Sequence, residues 1–488
     1  MPTEKELIAE RLRKLDELKK LGVNPYPHTF HTHHHAKEVA EKYSALEQDA
    51  KSTEEVVSAG RIMSLRKMGG VTFGHIQDES GRVQFYCKKD QLEDYDLIRL
   101  LDIGDIIGLK GNVFKTKTGE VTIKVNKLSV LCKSVRPLPE KWHGLQDIET
   151  RYRKRHLDLI MSPEKMQVFR ARTKIMDTIR HLLNSRDFVE VDTPVLQPVY
   201  GGAAAQPFKT HLNALNMDVF LRISNELYLK RLIIGGFHGV YEFSRDFRNE
   251  DIDRTHNPEF TQIEIYQAFA DFNDMKELVQ DIYTEAAKAV NGSTKISFNR
   301  QDIELKKPWK SYTMVESIKK FGEIDVNALK DAELFKLKDK FGLKIKAELT
   351  RGRVIQALFE ELVEKNLIQP TFITHHPIES TSLCKPCREP EHAGFVERFE
   401  PFIAGMEIAN AYSELNDPVL QRELFERQAK LHAQGAEEGH PIDEDFLQAI
   451  ETGMPPTGGV GIGIDRMTMI ITGQPSIRDV LFFPFMKM

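Results

Sequence analysis

Residues 397–417 read ERFEPFIAGMEIANAYSELND, and this stretch decides how the second half of the chain is interpreted. Apolar and polar residues alternate on both sides of Gly405, a pattern typical of two strands joined by a turn. Glu400 and Glu407 lie on either side of that turn, so a hairpin would bring both carboxylates to one Mg²⁺, an ion that prefers oxygen ligands. Two exposed glutamates without a ligand are the alternative at this point.

A second hairpin is predicted upstream, where residues 242–250 read EFSRDFRNE and residues 259–266 read EFTQIEIY. Because successive side chains of a strand point to opposite faces, Glu264 and Tyr266 should share one face. An arginine at the end of one strand, here Arg248, and carboxylates on the next make a pocket that can hold a phosphate and a cation side by side.

Two further segments flank these hairpins. Residues 188–196, FVEVDTPVL, predict a strand that ends at a proline after a long helix. Residues 458–467, GGVGIGIDRM, place glycines against the start of a helix. Such glycines serve either nucleotide binding or plain helix–strand packing, and Arg466 at the start of the helix would make the segment an anion site that a triphosphate can use.

Short alternating segments with glycine between them run from Val56 to Val135. About five strands in this region predict a small β-barrel, for which the OB-fold is the natural candidate. Such a barrel presents aromatic and polar side chains to single-stranded bases. Arg66, Phe73 and Gln84 are the candidates for that role, although each taken alone also fits an ordinary barrel surface.

The composition limits the class of protein. The 488 residues carry 68 basic and 73 acidic side chains, a net charge of −5, so a nucleic acid would have to meet local basic patches. Candidates are Arg11 to Lys20, on a predicted helix from Glu4 to Leu21 that either packs on its neighbour or touches RNA, and Arg151 to Arg155. No apolar run reaches membrane-spanning length and the first residues are charged, which together with only four cysteines predicts a cytoplasmic protein without a membrane partner.

In this order and behind a barrel, the four segments resemble the class II aminoacyl-tRNA synthetases of the aspartate/asparagine/lysine subgroup, and within it the lysyl-tRNA synthetases. The resemblance extends over essentially the whole chain. It includes GVNPYP at 22–27, LPEKWHGL at 138–145, GGAAA at 201–205 and ELYL at 226–229. It implies ATP-dependent attachment of L-lysine to lysine tRNA through a lysyl-adenylate, and a homodimer whose interface includes the segment at Pro194.

The resemblance also implies an α+β fold in four parts. They are a helical extension at 1–55, an OB-fold anticodon-binding domain at 56–136, a linker at 137–152 that contains two prolines, and a catalytic domain at 153–488 with an antiparallel sheet flanked by helices.

The resemblance assigns roles residue by residue. Arg248, Arg466 and Asn410 are the catalytic candidates, since they would neutralise phosphate charge and orient the lysine carboxylate. The ATP candidates are Arg248, Glu250, His256, Phe260, Glu407 and Arg466, and Glu400 and Glu407 match the Mg²⁺ ligands. The lysine candidates are Gly202, Glu226, Arg248, Glu264, Tyr266, Asn410 and Glu414. In the barrel, Phe73 would stack on the central anticodon base and Gln84 would read its edge, with Arg66 beside them.

Specificity follows from charge. Burying an ammonium group without partners is costly, so a lysine pocket needs carboxylates, which would repel an aspartate side chain. The rival hypotheses are an aspartate- or asparagine-specific relative, a ligase that lysylates a protein, and an inactive binding module. The complete barrel disfavours the second, and the presence of Arg248, Glu400, Glu407 and Arg466 disfavours the third.

The chain departs from the family pattern at several positions. Gln206 replaces a usual arginine and Asp251 a common glycine, both near the expected ATP site. Cys384 and Cys387, with nearby histidines, leave three alternatives open: a zinc site, a redox-sensitive pair, or free thiols near the active site. The histidines between His28 and His35 have no fixed ligand spacing, so metal binding there is also an open alternative.

Overall fold

The computed structural model describes residues 2–48, 50–139, 147–345, 348–433 and 441–487. The chain divides into two compact units, Met1–Glu164 and Lys165–Met488, and each is described by itself. Part of the predicted linker at 137–152 lies outside the described residues. The described residues include no helix that is both long and apolar enough to cross a membrane.

Residues 51–132, all of which are described, form the barrel of the first unit. Its strands are β1 (Lys51–Met68), β2 (Val71–Gln77), β3 (Arg82–Lys88), β4 (Ile106–Lys115) and β5 (Val121–Cys132). They close in the order β1-β2-β3-β5-β4, with β3 and β5 parallel and the other neighbours antiparallel. Apolar side chains such as Ile62, Phe85 and Ile123 fill the interior. The predicted five-stranded OB-fold is therefore confirmed.

Two helices precede the barrel, α1 (Glu4–Lys20) and α2 (Ala36–Lys42). Leu15 and Leu18 of α1 are buried, as the apolar stripe predicts. Arg11 is buried as well: its guanidinium donates to the carbonyl oxygens of Ile103 at 2.8 Å and Ser134 at 3.0 Å. Arg11 therefore anchors the helix to the barrel, and the expectation that it belongs to an RNA-facing patch is wrong.

The second predicted basic patch is also partly internal. It lies in α3 (Ile148–Arg153) and at the start of α4 (Arg155–Met161). Arg155 is almost completely buried and pairs with Asp158 at 2.9 Å, and Arg151 pairs with the same carboxylate at 3.0 Å. An arginine whose charge is already paired inside the unit cannot also serve as a free phosphate contact. Arg155 therefore does not belong to an RNA-facing basic patch.

Most strands of the second unit belong to one large sheet, and the others form two small sheets. The strands of the unit are β6 (Val189–Glu190), β7 (Leu196–Gln197), β8 (Lys209–Leu212), β9 (Met217–Leu221), β10 (Gly239–Phe247), β11 (Glu259–Ala268), β12 (Lys295–Phe298), β13 (Gln301–Glu304), β14 (Lys310–Thr313), β15 (Thr371–Pro377), β16 (Phe395–Ile403), β17 (Met406–Glu407), β18 (Ala409–Ser413) and β19 (Thr457–Gly463). One small sheet contains β7, β8 and β9, and the other contains β12 and β13. The large sheet runs β14-β15-β16-β18-β19-β11-β10-β6, and β17 pairs with β16. Its central neighbours are antiparallel, as predicted.

Helices flank this sheet. They are α5 (Met166–Asn184), α6 (Glu226–Ile234), α7 (Phe272–Asn291), α8 (Met314–Gly322), α9 (Asp331–Phe341), α10 (Arg351–Leu362), α11 (Pro418–Ala433), α12 (Glu444–Glu451), α13 (Ile464–Thr472) and α14 (Ile477–Val480). Buried side chains of α5, α7 and α13 pack with Ile263, Ile265, Val460 and Ile462 of the central strands. The alternation of β11 therefore sends Ile263 and Ile265 into the core and leaves Glu264 and Tyr266 on the opposite face.

The predicted strand at 188–196 is the main local error. Only Val189–Glu190 joins the large sheet, parallel to β10, and Leu196–Gln197 pairs with β9 in a separate small sheet. The intervening Asp-Thr-Pro sequence cannot continue the ladder, because proline has no amide hydrogen to donate.

Candidate active site

A cavity of about 1140 Å³ opens in the second unit on the face of the sheet opposite the core. All thirteen candidate residues from this half of the chain line it: Gly202, Glu226, Arg248, Glu250, His256, Phe260, Glu264, Tyr266, Glu400, Glu407, Asn410, Glu414 and Arg466. Residues from α6, β11, β16, β17, β18, β19 and α13 and from adjoining loops meet there, which no single sequence segment could bring about.

Buried carboxylates form one end of the cavity. The Tyr266 hydroxyl donates to Oε2 of Glu264 at 3.0 Å and the Gln262 amide donates to Oε1 at 2.9 Å, so both oxygens of Glu264 have partners. Glu414 differs, because its Oε1 is buried and accepts no hydrogen bond within the described part of the chain. Burial raises the pKa of Glu414 to about 8 and that of Glu264 well above its usual range. A bound cation would relieve this cost of burying negative charge.

Lys230 is a buried cation that sequence reasoning missed. Its Nζ lies 2.5 Å from Oε1 of Glu226 and 2.5 Å from Oε2 of Glu414. Burial alone would lower the pKa of Lys230, but the two carboxylates outweigh burial and raise it. The i,i+4 spacing of Glu226 and Lys230 on α6 was the one sequence signal for this contact, whereas the pairing with Glu414 depends on the fold.

Glycines of β19 make room for the carboxylates. A β-carbon added to Gly459 would lie 2.5 Å from Cε1 of Tyr266 and closer still to Oε1 of Glu414. One added to Gly461 would lie 2.9 Å from Oε1 of Glu264. At these two positions the glycines therefore allow the polar side chains of neighbouring strands to lie over the sheet backbone, rather than serving only helix–strand packing.

Cationic side chains and an aromatic ring lie at the other end. The Arg248 guanidinium stacks over the Phe260 ring at 5.0 Å, and its buried Nε has no hydrogen-bond partner among the described residues. Arg466, at the start of α13, lies 3.0 Å from Nε2 of His256 and donates to the carbonyl oxygen of Glu407 at 2.7 Å. This arrangement provides fixed positive charge for an anion beside a flat apolar surface.

Gln206 and Asp251, the two departures from the family pattern near the expected ATP site, lie beside this end of the cavity. The backbone amide of Gln206 donates to Oε1 of Glu250 at 3.2 Å, and the Asn249 amide donates to the Gln206 carbonyl at 2.8 Å. The Gln206 backbone thus supports the loop that carries Glu250. Asp251 is exposed.

Glu400 on β16 and Glu407 on β17 flank the turn at Gly405, as the sequence predicts. Burial and the charge of Glu400 raise the pKa of Glu407, and burial with three neighbouring carboxylates raises the pKa of Glu364 to about 7. Carboxylate oxygens in such excess are suitable ligands for a hard divalent cation such as Mg²⁺. No described group of three or more His, Cys, Asp and Glu side chains could hold a metal ion by itself.

A second network missed from the sequence centres on Arg398, whose side chain is only 12% exposed. Its Nε donates to Oδ1 of Asn410 at 2.9 Å, and a terminal nitrogen donates to Glu400. The amide of Asn410 in turn donates to the Tyr412 hydroxyl at 2.8 Å. Arg398 thereby fixes the orientation of the Asn410 amide, since its Oδ1 is held as an acceptor.

Arg66, Phe73 and Gln84 line a separate cavity of about 1100 Å³ on the barrel. The Phe73 ring lies 4.9 Å from that of Tyr86, and the Gln84 amide donates to Oε2 of Glu120 at 2.6 Å. Tyr86, two residues after Gln84 on β3, and Glu120, in the turn before β5, were not predicted to contribute to this surface. The combination of an aromatic face with orienting polar groups is the usual chemistry of single-stranded nucleic acid recognition.

Comparison with known proteins identifies the family. The family model for class II tRNA synthetases (D, K and N) matches residues 147–487, and that for the OB-fold nucleic acid binding domain matches residues 56–131. A lysine–tRNA ligase of Moorella thermoacetica is 47% identical over 490 residues, which cover 100% of this chain and 99% of the relative. That of Methanoculleus marisnigri is 48% identical over 485 residues, covering 98% and 94%. The chain belongs to the lysine–tRNA ligase family.

Within this family member, Cys384 and Cys387 lie near the carboxylate end of the site. Cys384 is buried and forms a β-bridge with Glu414, whereas Cys387 is partly exposed, and both are free thiols. Burial raises the pKa of Cys387 to about 12 and that of Cys384 well above its usual range. Thiols that resist ionisation are poor nucleophiles and metal ligands at neutral pH.

The histidines of the N-terminal segment make local contacts. The Val57 amide donates to Nδ1 of His34 at 3.3 Å, and Nδ1 of His35 lies 3.4 Å from Asp78. These contacts hold the segment against the barrel.

Proposed function

We propose that this chain activates L-lysine with ATP and transfers it to the 3′ end of lysine tRNA. In the first step a carboxylate oxygen of lysine attacks the α-phosphorus of ATP, which forms lysyl-adenylate and releases pyrophosphate. In the second step a hydroxyl of the 3′-terminal ribose attacks the adenylate carbonyl carbon and releases AMP. The observation that carries the proposal is the buried carboxylate pocket, in which Oε1 of Glu414 accepts no hydrogen bond from any described residue.

Specificity for lysine rests on that acceptor. Glu414 receives the ε-ammonium group of lysine, while Glu264 and Tyr266 complete a polar wall whose own hydrogen bonds are already satisfied. Glu226 and the backbone at Gly202 receive the α-amino group. An aspartate side chain would meet uncompensated negative charge here, which disfavours the aspartate- or asparagine-specific alternative.

ATP binds at the cationic end of the cavity. Phe260 stacks on adenine and Glu250 accepts from its amino group, while His256 and Arg466 hold the outer phosphates. Arg248 bridges the α-phosphate and the lysine carboxylate, a role supported by its unpartnered Nε among the described residues. Asn410 orients the carboxylate. The chain thus contributes positioning and charge neutralisation, without a covalent enzyme intermediate or a general base.

Glu400 and Glu407 would hold Mg²⁺, since their carboxylate oxygens are the ligands that this ion prefers. The excess of carboxylates around Glu364 supports this assignment, since their charge favours a divalent cation. When bound, the ion supplies neutralisation of the charge that develops on the phosphates.

The barrel recognises the anticodon. Phe73 stacks on the central base, Gln84 reads its edge and Arg66 contacts the RNA beside them. The cavity that these three residues line supports the role. The protein acts in the cytoplasm as a homodimer, and the dimer is supported by the exposed apolar side chains of Val189, Val195 and Leu196 around Pro194.

The test is amino-acid-dependent ATP–pyrophosphate exchange over a panel of amino acids, followed by aminoacylation of lysine tRNA. We expect exchange with lysine, stable charging of the tRNA, and loss of both on chelation of Mg²⁺. Activation of aspartate or asparagine but not lysine would contradict the specificity. Transfer of lysine to a protein but not to tRNA would favour the protein-lysylating alternative, which the complete barrel disfavours.

A further inference from the structure

Three carboxylates, those of Glu226, Glu264 and Glu414, line one end of the active-site cavity, and Lys230 lies behind two of them. Lys230 itself does not line the cavity, and its side chain has no exposure to solvent. Its ammonium group therefore does not occupy the place of a substrate amine. It contacts Glu226 and Glu414 from within the protein rather than from the cavity.

Lys230 contacts one oxygen atom of each of these two carboxylates. Nζ of Lys230 lies 2.5 Å from Oε1 of Glu226 and 2.5 Å from Oε2 of Glu414. The remaining oxygen of Glu414, Oε1, is the buried acceptor without a partner among the described residues. An ion pair thus holds one oxygen of Glu414, while the other has neither an ion-pair nor a hydrogen-bond partner among the described residues and is left for a ligand.

We propose that Lys230 is a positioning residue for lysine recognition, which holds Glu226 and Glu414 in the orientation that receives the two amino groups of the substrate. This inference rests on the proposed function and assigns to it a residue that does not touch the substrate. Lys230 also offsets part of the negative charge buried at this end of the cavity, so that Glu414 can ionise when a substrate ammonium arrives.

The geometry explains why one lysine can serve both carboxylates. Glu226 is one helical turn before Lys230 on α6, so the helix itself aligns that pair. Glu414 follows β18, and its backbone amide donates to the carbonyl oxygen of Thr457 at 2.8 Å, which ties it to β19. Because both elements are anchored, the ammonium group between them sets the spacing of the two carboxylates.

The test compares Lys230→Met with the wild-type full-length chain in lysine-dependent ATP–pyrophosphate exchange. Methionine has a similar length and no charge. We expect KM for lysine to rise roughly 10- to 100-fold, the range found when partners that orient ligand-binding side chains in metal sites are removed. KM for ATP should change by less than about twofold, because Arg248, Phe260 and Arg466 lie at the other end of the cavity.

Lys288→Met is the matched control. Lys288 is an exposed helical lysine of the same unit that pairs with Glu285 at 2.8 Å. Its variant should keep both KM values. If Lys230→Met does not give folded protein, Lys230→Gln retains a donor for one carboxylate and should still raise KM for lysine selectively.

The outcomes separate the two levels of the argument. A wild-type chain that fails to activate lysine would overturn the proposed function itself. If the wild type activates lysine and the Lys230 variants keep its KM for lysine, only the positioning role is overturned. Equal losses for lysine and ATP, or a fall in kcat with both KM values unchanged, would also overturn it, since a general structural defect does not select one substrate.

Discussion

Gly459→Ala should block lysine binding by adding a single carbon atom. Gly459 lies on β19 opposite Tyr266 of β11, and its backbone conformation is one that alanine adopts without strain. The new β-carbon would lie 2.5 Å from Cε1 of Tyr266 and closer still to Oε1 of Glu414. The variant therefore tests whether the glycine makes space for the carboxylate pocket.

The magnitude follows from the displacement. Ordinary contact begins at 3.4 Å, so the Tyr266 ring would move by about 0.9 Å, the difference between 3.4 and 2.5 Å, and Glu414 would move further. A misplacement of about 1 Å in a binding group costs about 100-fold in rate, which corresponds to about 2.7 kcal/mol. We expect that loss in kcat/KM for lysine, with KM for ATP changed by less than about twofold.

Gly458→Ala is the control on the same strand. Its β-carbon would lie 2.9 Å from the carbonyl oxygen of Asp271, on the core side of the sheet, and Gly458 does not line the cavity. That variant should lower the melting temperature but keep KM for lysine, as measured by pyrophosphate exchange. Normal lysine kinetics in Gly459→Ala, or the same kinetic defect in both variants, would refute the reasoning.

Three further outcomes are expected. Phe73→Ala should lower kcat/KM for tRNA charging by roughly 5- to 150-fold, because a base–aromatic stack is worth about 1–3 kcal/mol. Lysine-dependent pyrophosphate exchange should be unchanged. Equal loss in both assays would contradict the proposal that the barrel recognises tRNA and takes no part in lysine activation. Burial raises the pKa of Glu414 to about 8 and the ionised form holds an ammonium group, so kcat/KM for lysine should rise as pH increases through 8, and a flat profile would count against this assignment. The chain of 56.0 kDa should sediment as a dimer of about twice that mass. The double variant Val189→Asp, Leu196→Asp should be monomeric, because each aspartate would bury an unpaired charge in the interface. A monomeric wild-type protein would exclude the proposed dimer.

Local patterns predicted the parts of the fold that depend on nearest neighbours in sequence. Alternation placed Glu264 and Tyr266 on one face of a strand, and the Tyr266–Glu264 hydrogen bond confirms it. The turn at Gly405 between Glu400 and Glu407 and the five barrel strands were equally visible. The division of the predicted strand at 188–196 into two short strands in different sheets was not visible, because β propensity does not reveal which sheet a strand joins.

Side-chain environments were less predictable than elements. Arg11 has the sequence context of an exposed basic face, yet it is buried and donates to carbonyl groups of the barrel. Arg155 was assigned to a basic patch and instead pairs internally with Asp158. In both cases the partner lies on another element or on the next turn, so charge and spacing alone could not show that the arginine is already satisfied.

The sequence by itself indicated which residue types to expect at the lysine, ATP and anticodon sites through its family resemblance, and strand periods indicated which side chains share a face. Only the tertiary structure decided which atoms of those side chains remain available. Lys230 and Glu414 are 184 residues apart, and Gly459 lies on a third element, yet together they leave Oε1 of Glu414 without a partner among the described residues. The contact between Lys230 and Glu414 depends on packing between distant segments, and no period in the sequence could reveal it.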